Sequence, residues 1–288
     1  MVLPADGHVH TEWSWDAVNG SMEQTCARAV AIGLPAVAFT EHADYTPWTF
    51  SGDAYADQHL NFLTRPDGTL TPPELDVSSY LECLQRCRER FPGLHIISGV
   101  ELGEPHWHGA AVARLLSAGQ FDRVLGSLHC LPLGQHFPGP PDLYQQRPAA
   151  WVIREYLAEI TRLIRSPDTF SVLAHIDYPL RYWPHEAGTF DPGTFQEEFR
   201  HALHVLADSG RALEINTNGP LHPEIARWWH EEGGLAVTSE ATPTSRLESR
   251  IASPVQQPWS KPTASSQATT RTTTGDAPPE MLSGARDR

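Results

Sequence analysis

At 288 residues, with 40% hydrophobic and 19% charged side chains, the chain suits a soluble globular protein and has room for one core of barrel size. A formal net charge of −14 argues against nucleic acid or an anionic membrane as partner, because phosphate groups attract basic surfaces. No run of about 18 apolar residues occurs and no charged leader precedes an apolar stretch, so the expected location is the cytoplasm.

In chain order, short apolar runs alternate with longer amphipathic ones. The first strand is read in "VLPADGHVH" (residues 2–10), which carries His8 and His10, with Asp16 following shortly after. A helix follows in "SMEQTCARAVAIG" (21–33), then a strand in "AVAFTEH" (36–42) ending on His42. The segment "SSYLECLQRCRERF" (78–91) reads as a helix, and "LHIISGVELG" (94–103) as a strand holding Glu101 near its end. Next come strands "FDRVLGSLHCL" (121–131) with His129 and "FSVLAHIDY" (170–178) with His175, separated by the helical "AAWVIREYLAEITRLIRS" (149–166). The helical "GTFQEEFRHALHVLADSG" (193–210) leads to "RALEINTNG" (211–219), which holds Asn216, and "GGLAVT" (233–238) closes the series.

Strands alternating with helices imply parallel β-α units, and seven of them suit an α/β fold closed as a barrel. An open doubly wound sheet is the alternative, but no glycine-rich nucleotide loop follows the first strand. The polar residues favour the barrel, because functional groups on barrels gather where the C-terminal ends of the strands converge. One histidine at a strand end is ordinarily a satisfied structural residue. Six successive strands presenting such groups are hard to assign to packing.

The four cysteines (Cys26, Cys83, Cys87, Cys130) form no disulfide framework at this length; Cys83 and Cys87 fall on one helix face and read as structural thiols. Imidazoles and carboxylates without thiolate suit divalent Zn, Mn or Fe at a hydrolytic site. A bridging carboxylate such as Glu101 would hold two ions close together, as in sites that hydrolyse phosphate esters.

The ordered motifs "HVHTEWSWD", "FTEHADY", "GVELG", "GSLH", "LAHIDY" and "EINTNG" resemble those of the PHP (polymerase and histidinol phosphatase) superfamily, histidinol-phosphatase type, over residues 6–238. The resemblance implies a distorted seven-stranded (β/α) barrel with two or three divalent ions held by His8, His10, Asp16, His42, Glu101, His129 and His175. Asp16 stands where other branches of the superfamily carry histidine. It also implies hydrolysis of a small phosphate ester, with L-histidinol phosphate as the expected substrate, and with Glu101 and His129 at the reaction centre. Arg181 is the candidate grip on phosphate, since a guanidinium binds it bidentately; a surface ion pair is the alternative. His106, His108 and Asn216 are candidates to line the substrate pocket, unless the two histidines are ordinary loop residues. Trp13, Trp15 and Trp48 are placed either to wall the site or to pack the core.

The resemblance fails at residue 239. Where the family's closing strand ends in a Gly-Ser-Asp-Ala-His type of motif, this chain reads "SEATPT", and no histidine follows His230. The only lysine is Lys261, the mark of a GC-rich gene. Back-translated in GC-rich codons, residues 238–244 read ACC TCG GAA GCG ACG CCC AC; one C restored after ACC gives Thr-Leu-Gly-Ser-Asp-Ala-His. The expectation is therefore a one-base loss, with residues 239–288 a disordered out-of-frame tail and the last β-α unit incomplete; a natural tail is the alternative. The functional alternatives are a PHP-type phosphoesterase of other specificity and a remnant that binds metal without turnover.

Overall fold

The computed structural model describes residues 3–17, 19–50, 63–167, 169–216 and 220–240. The elements run β1 (Asp6–Val9), α1 (Met22–Ile32), β2 (Ala36–Ala43), β3 (Trp48–Thr49), β4 (Thr69–Leu70), α2 (Val77–Arg90), β5 (His95–Gly103) and α3 (Gly109–Ala118). They continue with β6 (Arg123–Ser127), α4 (Pro140–Gln146), α5 (Ala149–Arg165), β7 (Val172–Leu173), α6 (Gln196–Asp208), β8 (Ala212–Asn216), α7 (Pro223–Glu231) and β9 (Val237–Glu240).

Seven strands form one parallel sheet in the order β1-β2-β5-β6-β7-β8-β9, so each pair is joined by a crossover and the spacing-based barrel expectation is met. The sheet is nearly closed. At the seam the Ser239 hydroxyl donates to the Ala5 carbonyl at 2.9 Å, bringing the last strand against the first. β9 pairs with β8 as far as Asn216 opposite Glu240, two residues past Thr238. The tail from residue 241 onward lies outside the described residues.

Local chemistry fixes the helices around the sheet. Ser21 caps α1, its hydroxyl accepting from the Gln24 amide, and Gly33 ends it at φ 78°, a left-handed turn that L side chains resist. The Asp76 carboxylate caps α2 by accepting from the Ser79 amide at 3.1 Å. The apolar face of α2 buries Val77, Tyr80, Leu84 and Cys87, and α5 buries Val152, Tyr156, Leu157, Ile160 and Leu163 on its own.

Two tyrosines then bolt these helices into the sheet. Tyr80 Oη lies 2.9 Å from the Phe39 carbonyl and accepts from the Gly99 amide at 3.0 Å, between β2 and β5. Tyr156 Oη reaches the carbonyls of Leu128 and His175, at 3.1 and 3.2 Å. Cys26, Cys83, Cys87 and Cys130 are all buried and unbridged, and burial pushes the Cys87 thiol up to about 11. They are packing groups. Among the described residues no helix is long and apolar enough to cross a membrane.

Candidate metal centre

Parallel strands place their C-terminal ends at one mouth of the barrel, and there the side chains of β1, β2, β5, β6 and β7 converge on Glu101. The His42↔Glu101 register of β2 and β5 sets these two side by side. The Glu101 carboxylate is ringed by imidazoles, and His42 Nδ1 lies 3.5 Å from its Oε2. Oε2 lies 3.0 Å from His8 Nε2 and 3.2 Å from His10 Nε2. Oε1 lies 2.9 Å from His175 Nε2 and 3.3 Å from His129 Nε2.

The second nitrogen of three of these rings is already committed. His8 Nδ1 sits 2.5 Å from Glu214 Oε1, and His129 Nδ1 sits 3.1 Å from Asp44 Oδ1. His10 Nδ1 lies 3.2 Å from Ser14 Oγ. That hydroxyl donates to Glu41 at 2.6 Å and accepts from the His42 amide at 3.0 Å, so it takes a proton from the His10 ring. All three rings therefore keep the proton on Nδ1 and turn Nε2 toward Glu101. The Nε2 atoms of His8 and His10 stand only 3.0 Å apart. Two lone pairs at that distance repel unless a proton or cation lies with them.

Electrostatics point the same way. Burial alone would raise the Glu101 carboxyl, but facing His8 and His42 hold it well below the usual carboxylate range. Burial would lower the His8 and His129 rings. Glu214 and Glu101 instead hold His8 well above its ordinary value, and Asp44 with Glu101 raises His129 to about 9. In the metal-free chain these rings carry protons that a cation would replace. His175 differs: burial dominates and takes its pKa down to about 4, leaving a neutral ligand.

The donor set fits divalent ions. Ligand atoms of His8, His10 and Glu101 lie within 4.8 Å of one another, as do those of Glu101, His129 and His175, and those of His42, Asp44 and His129. The first two groups have Glu101 in common. In the third, Asp44 is engaged by the Trp15 indole N–H at 2.7 Å as well as by His129. Asp44 and Glu214 thus stand behind candidate ligands, as carboxylates that orient metal-bound imidazoles commonly do. Gly103 makes room for this, since a Cβ there would fall 1.9 Å from Asp44 Oδ1.

Asp16 lies at the rim with its carboxylate 36% exposed and 3.4 Å from His42 Nε2. Burial opposes its ionisation, but His42 outweighs that and lowers its pKa. Two backbone positions at this mouth are strained: Glu104 at φ 45° and His175 at φ 21°. The Glu104 carboxylate accepts the His129 amide at 2.6 Å and the Thr46 hydroxyl at 2.7 Å, which fixes the first of them.

The other sequence candidates separate. His106 turns away from the cluster to Glu159 of α5, at 2.7 Å, so it anchors a loop. His108 Nε2 contacts the Thr46 hydroxyl at 2.8 Å; because that hydroxyl donates to Glu104, the ring supplies the proton. Arg181 lies on a 3-10 turn (Tyr178–Tyr182) with its guanidinium 5.2 Å from the centre of the Tyr178 ring. Tyr178 in turn lies 5.0 Å from His175 and 5.5 Å from His129, one ring away from the ligands. Asn216 is buried at the end of β8. Trp48 stands 5.7 Å from His129 and Trp15 5.8 Å from His42, so both wall the cluster, whereas Trp13 packs against the core between α1 and α2.

Comparison with known proteins agrees with this geometry. The PHP domain family model matches residues 6–218. The chain belongs to the PHP domain family. Among its PHP relatives, the histidinol-phosphatase of Lactococcus lactis is 25% identical over 213 residues, covering 74% of this chain and 71% of the relative. A protein named "Probable histidinol-phosphatase" from Deinococcus radiodurans is 28% identical over 217 residues, covering 74% and 73% of the two chains. In structure this PHP chain resembles histidinol phosphate phosphatase from Lactococcus lactis, solved with Zn, L-histidinol and phosphate. The TM-score is 0.67 at 21% identity, with 83% of this chain and 86% of that one covered.

Proposed function

We propose that this chain is a metal-dependent phosphomonoesterase acting on a small phosphate ester, with L-histidinol phosphate the substrate that its named relatives suggest. The observation that carries the reading is the ring of five imidazoles around the two oxygens of Glu101, which would hold divalent cations. Divalent ions there would supply Lewis acidity, lowering the pKa of a water and neutralising the oxygens of the phosphoryl group in flight.

The remaining work falls to the chain itself. Asp44 and Glu214 keep the Nδ1 protons in place, so the rings need not turn when cations displace the protons on Nε2. Trp15, Trp48 and Tyr178 form an apolar wall that limits water at the cluster. Arg181 grips the phosphate from the Tyr178 side. The leaving alkoxide takes its proton from water on the open side, where His10 is 24% and Asp16 36% exposed.

The test is hydrolysis of p-nitrophenyl phosphate and of a panel of phosphomonoesters that includes L-histidinol phosphate. Turnover should vanish on chelation and in His8→Ala; activity surviving both would overturn the metal mechanism. One observation favours a second reading, a metal-binding remnant. From Val237 to Glu240 the closing strand supplies neither Asp nor His. A chain that binds zinc but shows no chelator-sensitive hydrolysis of any ester would be that remnant.

A further inference from the structure

Glu214 lies in the middle of β8, 206 residues from His8 in sequence, with no exposed side-chain surface. Its two oxygens serve two different ligands. Oε1 accepts a hydrogen bond from His8 Nδ1–H at 2.5 Å, and Oε2 accepts one from the His175 backbone amide at 2.9 Å. That amide belongs to the residue held at φ 21°, a conformation that a β-carbon disfavours. One carboxylate thus fixes a ring on the first strand and a strained main chain beyond β7, and each ligand faces a different oxygen of Glu101. Arg123 completes the arrangement. Its guanidinium crosses to the Gly7 carbonyl at 3.0 Å and shares an attractive field with Glu214, so the buried carboxylate is not left uncompensated.

We propose that Glu214 is the positioning residue of the metal centre, holding His8 in its Nδ1–H tautomer and His175 in its left-handed backbone so that both Nε2 atoms meet the cations beside Glu101. This rests on the metal reading of the site given above.

The chemistry makes Glu214→Gln an informative change. The His175 backbone N–H can only donate, so it pins the amide oxygen of the new side chain. The amide –NH2 is then left facing His8 Nδ1, which must become an acceptor. His8 shifts its proton to Nε2 and loses the lone pair that would bind metal. A residue that merely filled space would show no such effect, because Gln has nearly the same volume.

The experiment titrates Zn2+ into the full chain and its variants by calorimetry and records 15N spectra of labelled histidine in the zinc-loaded protein. Signals are assigned with His8→Ala. In the wild type, His8 should carry its proton on Nδ1 and zinc on Nε2. Glu214→Gln should weaken zinc binding about 10–100-fold, the usual effect of losing a partner behind a ligand. Combined with His8→Ala, its loss should be less than additive. Wild-type zinc affinity in Glu214→Gln, additive losses, or a His8 ring protonated on Nε2 in the zinc-loaded wild type would each overturn the proposal. Should Glu214→Gln not fold, the wild-type spectrum alone decides. None of these measurements uses a phosphate ester, so failure of turnover and failure of Glu214's role are read separately.

Discussion

The two Glu101 oxygens set a hierarchy among the ligands. His10 touches one oxygen only and is partly exposed, whereas Glu101 links all five imidazoles from a fully enclosed position. Glu101→Gln keeps the shape but leaves five imidazoles without their shared anion, so metal binding should fail at both candidate groups that include Glu101. We expect kcat/KM to fall by more than about 100-fold, beyond what an outer partner is worth, with metal content by elemental analysis falling further than in His10→Ala. Arg181 should behave differently. A phosphate grip that acts equally in ground and transition states predicts that Arg181→Ala raises KM about tenfold with kcat nearly kept; unchanged KM would assign Arg181 to the surface. His8, His10, His42, Glu101, His129 and His175, which the fold brings together, were legible as candidates in sequence because each sits at or just past the end of an apolar run. Asp44 and Glu214 were not, although Asp44 follows β2 two residues after His42 and Glu214 lies in β8 two before Asn216. What hid them is that their partners, His129 and His8, are 85 and 206 residues distant, and only barrel closure brings them together.

At the scale of elements, α5 is the brace of the site. Its Tyr156 ties the backbone at Leu128 and His175, next to two ligands, and its Glu159 ties the loop after β5 through His106 and the Trp107 indole at 3.0 Å. Arg162, one turn on, completes the Glu159 ion pair. Burial would raise the Glu159 carboxyl, but His106, Arg162 and Trp107 bring it down to about 2. Its folded pKa is therefore below the ordinary value near 4.5, so the stabilisation is full above pH 4.5 and is lost as the pH falls toward 2. With Arg162 largely exposed, solvent screening reduces the effect to about 1–2 kcal/mol. Urea unfolding should show Glu159→Gln less stable than the wild type at pH 7, with the gap closing between pH 4.5 and 2. A gap that persists at pH 2 would assign the loss to packing instead. His106 was legible as a polar residue beyond a ligand strand, but its acidic partner 53 residues later was not. The antiparallel β3–β4 pair was likewise missed, since two-residue strands leave no periodicity to read.

For the whole molecule, the barrel succeeds or fails at its seam. The barrel strands β1, β2, β5, β6, β7 and β8 each bring a polar side chain to the mouth, and parallel order makes β9 the neighbour that must complete the ring between Asn216 and β1. The Ser239 hydroxyl already secures the two edges by its bond to Ala5, so the backbone at the seam is joined before residue 240 is passed. In the reading that one C is lost after the Thr238 codon, the restored strand continues Leu-Gly-Ser-Asp-Ala-His, which puts a carboxylate and an imidazole just beyond the end of β9, on the side of the barrel where His8 and His10 converge. Resequencing the gene across that codon should reveal the extra base, and an ACC followed by codons that cannot encode the motif would sink the reading. The chain expressed in the restored frame should bind at least one further equivalent of zinc and hydrolyse phosphate esters faster than the present chain. Equal zinc content in the two proteins would mean that the cluster around Glu101 is already complete as it stands.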